Sequence, residues 1–543
     1  MEHFLTYLKE SAKRKFDEPA ISDFKGVQFT HKDLFGRIKR FQMAFSDIGL
    51  EAGERVAICG KNSARWGSAF LSTVTYKAVA VPLLNGFTPE DIQNLLSHSQ
   101  STVLFTEKRI LSQIHPEALE NLKAVFSLED DSVLYLKDPS KAALLDALPE
   151  RMNEAYPDGF TKEMVDYEGT GLDELCLINY TSGTTGNPKG VMLSTRNIVS
   201  NLDFDLNEFK VHDDDSVVVM LPLAHMYGLT IEFLYTLCGG ANVVFLGRTP
   251  TPTLLLEAMR TVRPYIIITV PMVIEKIVKG KILPALNKPV VRILKHVPIL
   301  SDMIYKKVHD EFMGAFGGKV RYISIGGAAL SPAVEKILLK ARIPFSVGYG
   351  MTECAPLVAY VPAGKFKSGS CGRPILRMQV RVDSPDPEKI PGELQIHGDN
   401  VMIGYYRNED ATRQAFTQDG WLRSGDLGVM DKDGNIYIRG RSKCMILTSS
   451  GQNIYPEEIE DKLNGIEGVV ESLVVSRGQR LVALVDVTES IKNDEESLSM
   501  AKDRILREIN RQMPSYSKIS EIEVLFQGFV HTPKNSIKRN LYS

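Results

Sequence analysis

Long apolar runs are what this 543-residue sequence lacks most clearly. The most apolar stretch, YIIITVPMVI (265–274), is too short to cross a bilayer and carries Pro271. The N-terminus, MEHFLTYLKESAKRKFDEP, has no secretory apolar core. A membrane-spanning protein is thereby excluded and a cytoplasmic one expected, with peripheral membrane contact left open. Paired cysteines are missing too. Cys59, Cys176, Cys238, Cys354, Cys371 and Cys444 are scattered, with neither metal-ligand spacing nor a disulfide framework, which points to a reducing compartment. Neither sign of charge dominates: 64 basic against 67 acidic side chains give a formal charge of −3 and no reason to expect a nucleic acid partner. No fixed period repeats, so a solenoid is excluded. What remains is a globular composition, 43% hydrophobic and 24% charged, in a chain too long for one core.

Short strand-like runs alternate with helical periods through most of the chain, the pattern of a layered α/β protein. The runs are ERVAICG (54–60), STVLF (101–105), SVVVML (216–221), ANVVFL (241–246), YIIITV (265–270) and VRYISIGG (320–327), with an amphipathic stretch from Ala64 to Val79. After about Val380 the texture changes to short glycine-rich units, PGELQIHG, GWLRSGDLG and DGNIYIRGR, which read as antiparallel β structure. From Arg441 on, VVESLVVS and RLVALVDV form a hairpin and SLSMAKDRILREINRQM a helix. The expected fold class is α/β: a large N-terminal multi-layer α/β domain (1–440) with a small β subdomain, then a small mobile α+β C-terminal domain (441–543) hinged near Arg441 to Lys443.

The stretch YTSGTTGNPKGV (180–191) carries chemistry. Glycines let successive N–H groups face one anion, serine and threonine hydroxyls add donors, and Lys189 adds a mobile positive charge. The spacing is not that of a Walker A loop: Gly183 and Gly186 are too close, and a glycine follows Lys189 where a metal-binding hydroxyl should stand. A plain surface turn is the competing reading, weakened by the strand-like LCLIN before the loop and VMLS after it.

This bracketed loop closely resembles the signature of the adenylate-forming superfamily, which includes acyl-CoA synthetases, luciferases and peptide-synthetase adenylation domains. Further segments extend the resemblance over nearly the whole chain: LPLAHMYGL (221–229), VRPYIIITVPMVIEKI (262–277), GGAALSP (326–332), GYGMTE (348–353), GELQIHGDNVMIGYY (392–406), GWLRSGDLG (420–428) and IRGRSKCMILTSSGQNIYPEEIE (438–460). The resemblance implies that Thr181, Ser182, Gly183, Thr184, Thr185, Gly186 and Lys189 grip the phosphates of ATP. It places Gly326, Gly327 and Ala328 against adenine, where small side chains allow close approach, though tight packing needs them equally. Tyr349, followed by Gly350, offers a ring on which adenine stacks, and core packing is its alternative. Thr352 bonds a phosphate oxygen and Glu353 supplies the hard oxygen that Mg²⁺ prefers; the pair also suits a helix start. Asp426 matches the aspartate that accepts the ribose hydroxyls, or else makes an Asx turn. Arg441 reaches the ribose, or is a solvated surface charge. His225 lies beside the acyl group, or is a structural histidine.

A carboxylate and a triphosphate repel, so joining them requires charge neutralisation and in-line placement. The resemblance implies attack of the acid on the α-phosphate, giving an acyl-adenylate and pyrophosphate. Rotation of the small domain about Lys443 then brings Gly451 to the site, and a thiol takes the acyl group. The tail, HTPKNSIKRNLYS, departs from the pattern: matched without gaps, Ser536 stands in the column of the catalytic lysine, with Lys534 and Lys538 on either side. Lys534 is favoured, which leaves Ile537-Lys538-Arg539 to pair as a strand with Lys538 in solvent. The alternation in IEVLFQ (522–527) fits a strand before a loop. Segments 262–277 and 449–460 resemble fatty acyl-CoA synthetases most. The expected activity is therefore fatty acid–CoA ligation with ATP, Mg²⁺ and coenzyme A. An acyl carrier protein is the rival acceptor; a weakly catalytic nucleotide sensor and a P-loop ATPase are the rival classes.

Overall fold

The computed structural model describes residues 1–181, 188–247, 251–447, 453–478, 480–514, 517–532 and 537–542. An eight-stranded sheet runs in the order Gly404–Tyr405, Lys189–Ser194, Leu175–Thr181, Val79–Leu83, Arg55–Cys59, Ser101–Thr106, Ala124–Ser127 and Val133–Leu136. Its central strands are parallel and buried along nearly their whole length, and this explains their continuous apolar runs. A four-stranded sheet carries Ser216–Val219, Asn242–Phe245, Pro19–Asp23 and Gln28–Thr30. A third, parallel sheet joins Ile266–Thr269, Tyr322–Ile325 and Phe345–Val347. The antiparallel unit read from glycine-rich sequence is present as Met378–Asp383, Gly392–Gly398, Leu422–Met430 and Ile436–Arg441.

The C-terminal piece has its own apolar core, built on Ile459, Leu463, Ala483, Val485, Ile505 and Ile509. The expected hairpin pairs Val469–Arg477 with Arg480–Val487, and Glu521–Val524 joins it in parallel. The expected helix spans Glu495–Arg511, started by Asp494, whose carboxylate accepts the Ser497 N–H.

Two elements stop earlier than expected and a third does not form, each for an identifiable reason. The strand at 216 ends at Val219 because the next two backbone N–H groups, of Met220 and Leu221, donate to the carboxylate of Glu232. The helix from Ala64 ends at Thr75, just before Lys77 adopts a left-handed φ of 62°. The tail Ile537-Lys538-Arg539 is not a strand. Ile537 makes a single bridge to His531, after which the chain turns into a 3-10 helix, Arg539–Leu541. The reason is electrostatic: Arg539 is drawn to Glu460 and Glu457 on the helix Pro456–Leu463.

Candidate active site

Strand pairing builds the first half of the site. Thr181 and Lys189 end the two strands on either side of residues 182–187 and stand opposite each other in register, with Thr181 Oγ1 donating to the Lys189 carbonyl at 3.4 Å. Ser182, Gly183, Thr184, Thr185 and Gly186 lie outside the described residues. The short strand Gly404–Tyr405 pairs with the far side of Lys189–Ser194 and sets the Tyr405 ring 4.8 Å from Lys189 Nζ. The Tyr405 hydroxyl donates to Glu353 Oε1 at 2.9 Å. Burial, reinforced by the charge of Glu353, raises the pKa of this phenol, so it remains a donor. Lys189, Tyr405 and Glu353 thus form one connected chain of contacts, which holds the Glu353 carboxylate where Lys189 carries the opposite charge.

Glu353 lies in the 3-10 turn Thr352–Cys354, one residue after Thr352. Gly350, just before this turn, is required by packing: a Cβ there would sit 2.3 Å from the Pro356 carbonyl oxygen. The described residues contain no group of three or more His, Cys, Asp or Glu side chains able to cage a metal. A lone partly exposed carboxylate with one oxygen oriented by a tyrosine fits Mg²⁺, which is commonly held by one or two carboxylates together with substrate phosphates and water.

The second half is a corner around Asp426. Asp426 and Arg441 are cross-strand partners, and Arg441 Nε meets Asp426 Oδ1 at 2.8 Å. The Tyr349 hydroxyl donates to Oδ2 at 2.6 Å. Tyr349 is only 9% exposed and packs in the main apolar core, so the packing role weighed for it is present alongside this tie to Asp426. Burial raises the Asp426 pKa while Arg441 opposes the rise; Glu353 is near enough for its charge to be felt at both Asp426 and Arg441. Each Asp426 oxygen uses one lone pair on these partners and keeps another for a ligand hydroxyl.

The strand Tyr322–Ile325 leads into Gly326, where an added Cβ would press on the Tyr227 ring at 3.2 Å. Gly327 turns the chain at a left-handed φ of 85° and, with Ala328, is exposed. His225, partly exposed, closes the segment 221–225 before the π-helix Tyr227–Leu234. Two asparagines that the sequence reading missed hold this segment: Asn62 bonds the Leu221 carbonyl and the Leu223 N–H, and Asn179 bonds the Ala224 carbonyl. Tyr405 and Glu232 were missed as well. Tyr405 stands within GELQIHGDNVMIGYY, so its motif was in view; nothing local marks Asn62 or Glu232.

On the C-terminal side, Lys443 lies in the 3-10 turn Ser442–Cys444 that follows Arg441. Gly451 and Lys534 lie outside the described residues. Lys538 is exposed, and among the described residues no hydrogen bond or ion pair connects it to Lys189, Glu353 or Asp426. The helix Pro456–Leu463 instead lies against the neighbourhood of the site: Arg439 meets Glu458 at 3.4 Å, and Lys279 Nζ donates to the Asn464 carbonyl at 3.1 Å.

This arrangement is that of an adenylate-forming enzyme, with a large N-terminal α/β domain and a small C-terminal domain. Residues 8–406 match the family of AMP-binding enzymes and residues 444–543 its C-terminal domain, and the chain belongs to this family. A long-chain-fatty-acid–CoA ligase, ACSBG2 of Gallus gallus, is 28% identical over 86% of this chain, which spans 64% of that relative's length. A sulfoacetate–CoA ligase of Cupriavidus necator is 30% identical, covering 86% of this chain and 84% of the relative. Among solved structures, ATP-bound MatB of Rhodopseudomonas palustris superposes with a TM-score of 0.76 at 23% identity, over 98% of each chain. The o-succinylbenzoate–CoA synthetase of Bacillus subtilis, solved with ATP and a magnesium ion, gives 0.76 at 20% identity over 98% of each chain.

Proposed function

We propose that the substrate is a medium- to long-chain fatty acid, within the ATP-dependent acid–CoA ligase activity that the family match and the named relatives support. The observation that carries the ligase chemistry is the pairing of the Lys189–Tyr405–Glu353 chain with the Asp426–Tyr349–Arg441 corner. One presents charges of both signs to phosphates, the other a buried carboxylate to ribose hydroxyls. For the fatty acid, the support is the likeness of segments 262–277 and 449–460 to fatty acyl-CoA synthetases and the relative named for that substrate. Glu275, the acid of segment 262–277, is already engaged by the Ser331 N–H at 2.9 Å and by Lys279 at 3.3 Å, which suits an uncharged acyl chain.

In this reading the acid's carboxylate attacks the α-phosphorus of ATP, the bond to the β-phosphate oxygen breaks, and pyrophosphate leaves. Mg²⁺, when bound, neutralises phosphate charge. Glu353, oriented by the Tyr405 hydroxyl, would hold the cation, and Lys189 stands beside the leaving phosphates. Asp426 and Arg441 fix the ribose, Tyr349 holds the Asp426 carboxylate at the correct angle, and Gly327 and Ala328 allow adenine to lie against the strand end. Lys534 contacts the acid and the α-phosphate. The domain 441–543 then turns about Lys443 and brings Gly451 to the site. The CoA sulfur attacks the acyl carbonyl, loses its proton and expels AMP.

The test supplies ATP with octanoate, dodecanoate, hexadecanoate, sulfoacetate, ferulate or malonate, and either CoA or an acyl carrier protein, and measures thioester. Fatty acyl-CoA from the longer acids is expected. Thioester from sulfoacetate or ferulate alone overturns the fatty acid reading, and acylation of the carrier protein alone overturns CoA as the acceptor.

A further inference from the structure

The segment 272–303 gathers six exposed large hydrophobic side chains, Met272, Val290, Ile293, Val297, Ile299 and Met303. Four of them, Ile299 at 76%, Ile293 at 71%, Val290 at 66% and Met303 at 64%, are more exposed than any other large hydrophobic side chain among the described residues. They sit on the outer faces of two consecutive helices. Val290 and Ile293, three apart, share a face of Pro289–Leu294. Ile299 and Met303, four apart, share a face of Pro298–Ala315, whose opposite face buries Tyr305, Val308 and Phe312 in the core of the third sheet. The inner face carries the packing of this helix, and the outer aliphatics lie mostly in solvent. Scattered single exposed apolar residues need no explanation; a cluster of the most exposed ones in one pair of helices does.

The charge around them is as uneven as the exposure. Residues 276–307 hold eight basic side chains, seven lysines and Arg292, against the single acid Asp302, in a chain whose formal charge is −3. Lys288, Arg292 and Lys295 interleave directly with the exposed aliphatics. Exposed aliphatics set among lysines and arginines, on helices that are not both long and apolar enough to cross a membrane, match the chemistry of a segment lying in the headgroup region of an anionic bilayer. A second copy of this chain would set like charges face to face. An acidic carrier protein would use the lysines but leave the aliphatic side chains without a partner.

We infer that the helix pair 289–315 docks the protein on an anionic phospholipid surface, with Val290, Ile293, Ile299 and Met303 entering the headgroup boundary and Lys288, Arg292 and Lys295 meeting lipid phosphates. The docking stands on the patch alone. Its purpose rests on the fatty acid reading: the helix Pro271–Ile277 that leads into the patch starts two residues after the strand Ile266–Thr269, whose end lies at Gly326 and Gly327. A membrane-dissolved acid would therefore be taken up close to the nucleotide.

The test is co-sedimentation of the full chain with vesicles of phosphatidylcholine, alone or with about 30% phosphatidylglycerol, at about 0.1 M salt and again at about 0.5 M. The wild type is expected to bind the anionic vesicles at least about tenfold better than the neutral ones, with the preference shrinking at high salt. Ile293→Asp with Ile299→Asp should lower binding to the anionic vesicles about tenfold, and Lys288→Glu with Arg292→Glu and Lys295→Glu should remove the lipid preference. Thermal melting of each variant controls for folding; four of the five side chains are exposed and Lys295 is half-buried. Absent binding, equal binding by wild type and folded variants, a dimer that the aspartates dissolve in place of vesicle binding, or capture of an acyl carrier protein alone would each overturn the proposal. Failure of the fatty acid reading would show separately, as vesicle binding intact with no fatty acyl thioester formed.

Discussion

Asp426 and Glu460 are both buried carboxyls held by an arginine, 4% and 7% exposed, yet their arginines come from different places. Asp426 takes its arginine from the neighbouring strand, at the last residue before the 3-10 turn that begins the small domain's connection, and Arg441 is itself well exposed. Glu460 takes Arg539 from 79 positions away, and the Val474 N–H at 2.7 Å as well. Burial pushes Glu460 up to about 7, against the pull of Arg539. The first pair also engages the Tyr349 hydroxyl, and in the proposed function its carboxylate is shared with ribose hydroxyls. The second is a clasp that fastens the tail to the small domain. In the proposed function similar chemistry serves binding at Asp426, whereas at Glu460 it fastens the fold, and the two arginines come from different distances along the chain.

Substitutions should separate the two. Asp426→Asn is expected to lower acid-dependent pyrophosphate exchange on the order of a hundredfold, since hydrogen bonds to charged groups contribute about 1.5–3 kcal/mol each, with little change in melting temperature. Lys534→Ala should cost a comparable factor, on the order of a hundredfold, while Lys538→Ala stays within about twofold. Equal, near-normal rates for the two lysine variants would contradict the assignment of the tail. Arg539→Ala should show the reverse pattern from Asp426→Asn. It should lower stability in denaturant melts by about 2–3 kcal/mol, below the 3–5 of fully buried pairs because Arg539 is partly exposed, with ATP binding retained. If Arg539→Ala abolishes ATP binding in a folded protein, the clasp reading fails.

Smaller effects sharpen the picture. Tyr405→Phe removes the hydroxyl that orients Glu353 and should slow exchange roughly fivefold while raising the Mg²⁺ requirement. The smallest effect concerns Asp461, on the same helix as Glu460. Burial, helped by Glu275, Glu457 and Glu458, pushes its carboxyl up to about 6. A carboxyl whose folded-state pKa lies above its unfolded value stabilises the fold below the unfolded pKa, and that contribution is lost as pH rises through about 6. The wild type should therefore lose stability between about pH 4 and about pH 6 relative to Asp461→Asn, as read by thermal melts of both at each pH. A constant difference between the two proteins would contradict the raised Asp461 pKa.

What the sequence made legible follows from how locally each feature is written. The hairpin Val469–Arg477 with Arg480–Val487 and the parallel strands of the main sheet announce themselves through apolar runs, because both faces are covered. Asp426 and Arg441 each sit in a glycine-bounded motif, and the pairing of their strands carries them together. Asn62 reaches its partner across 159 positions and Glu232 caps a strand end from inside a π-helix, so no window of sequence reveals either. The tail shows the same limit. Alternation favoured a strand at Ile537-Lys538-Arg539, but the carboxylates that draw Arg539 away lie on another helix, 79 and more positions earlier.

The account stands on activation of a carboxylate by ATP at the joined Glu353 and Asp426 sites. Exchange of labelled pyrophosphate into ATP, with no CoA present and with dodecanoate or hexadecanoate added, measures that step alone. Exchange that requires the fatty acid and falls with Asp426→Asn is the predicted result. A flat signal across the whole acid panel, from a folded protein that still binds ATP, would contradict it and leave a nucleotide sensor in place of a ligase.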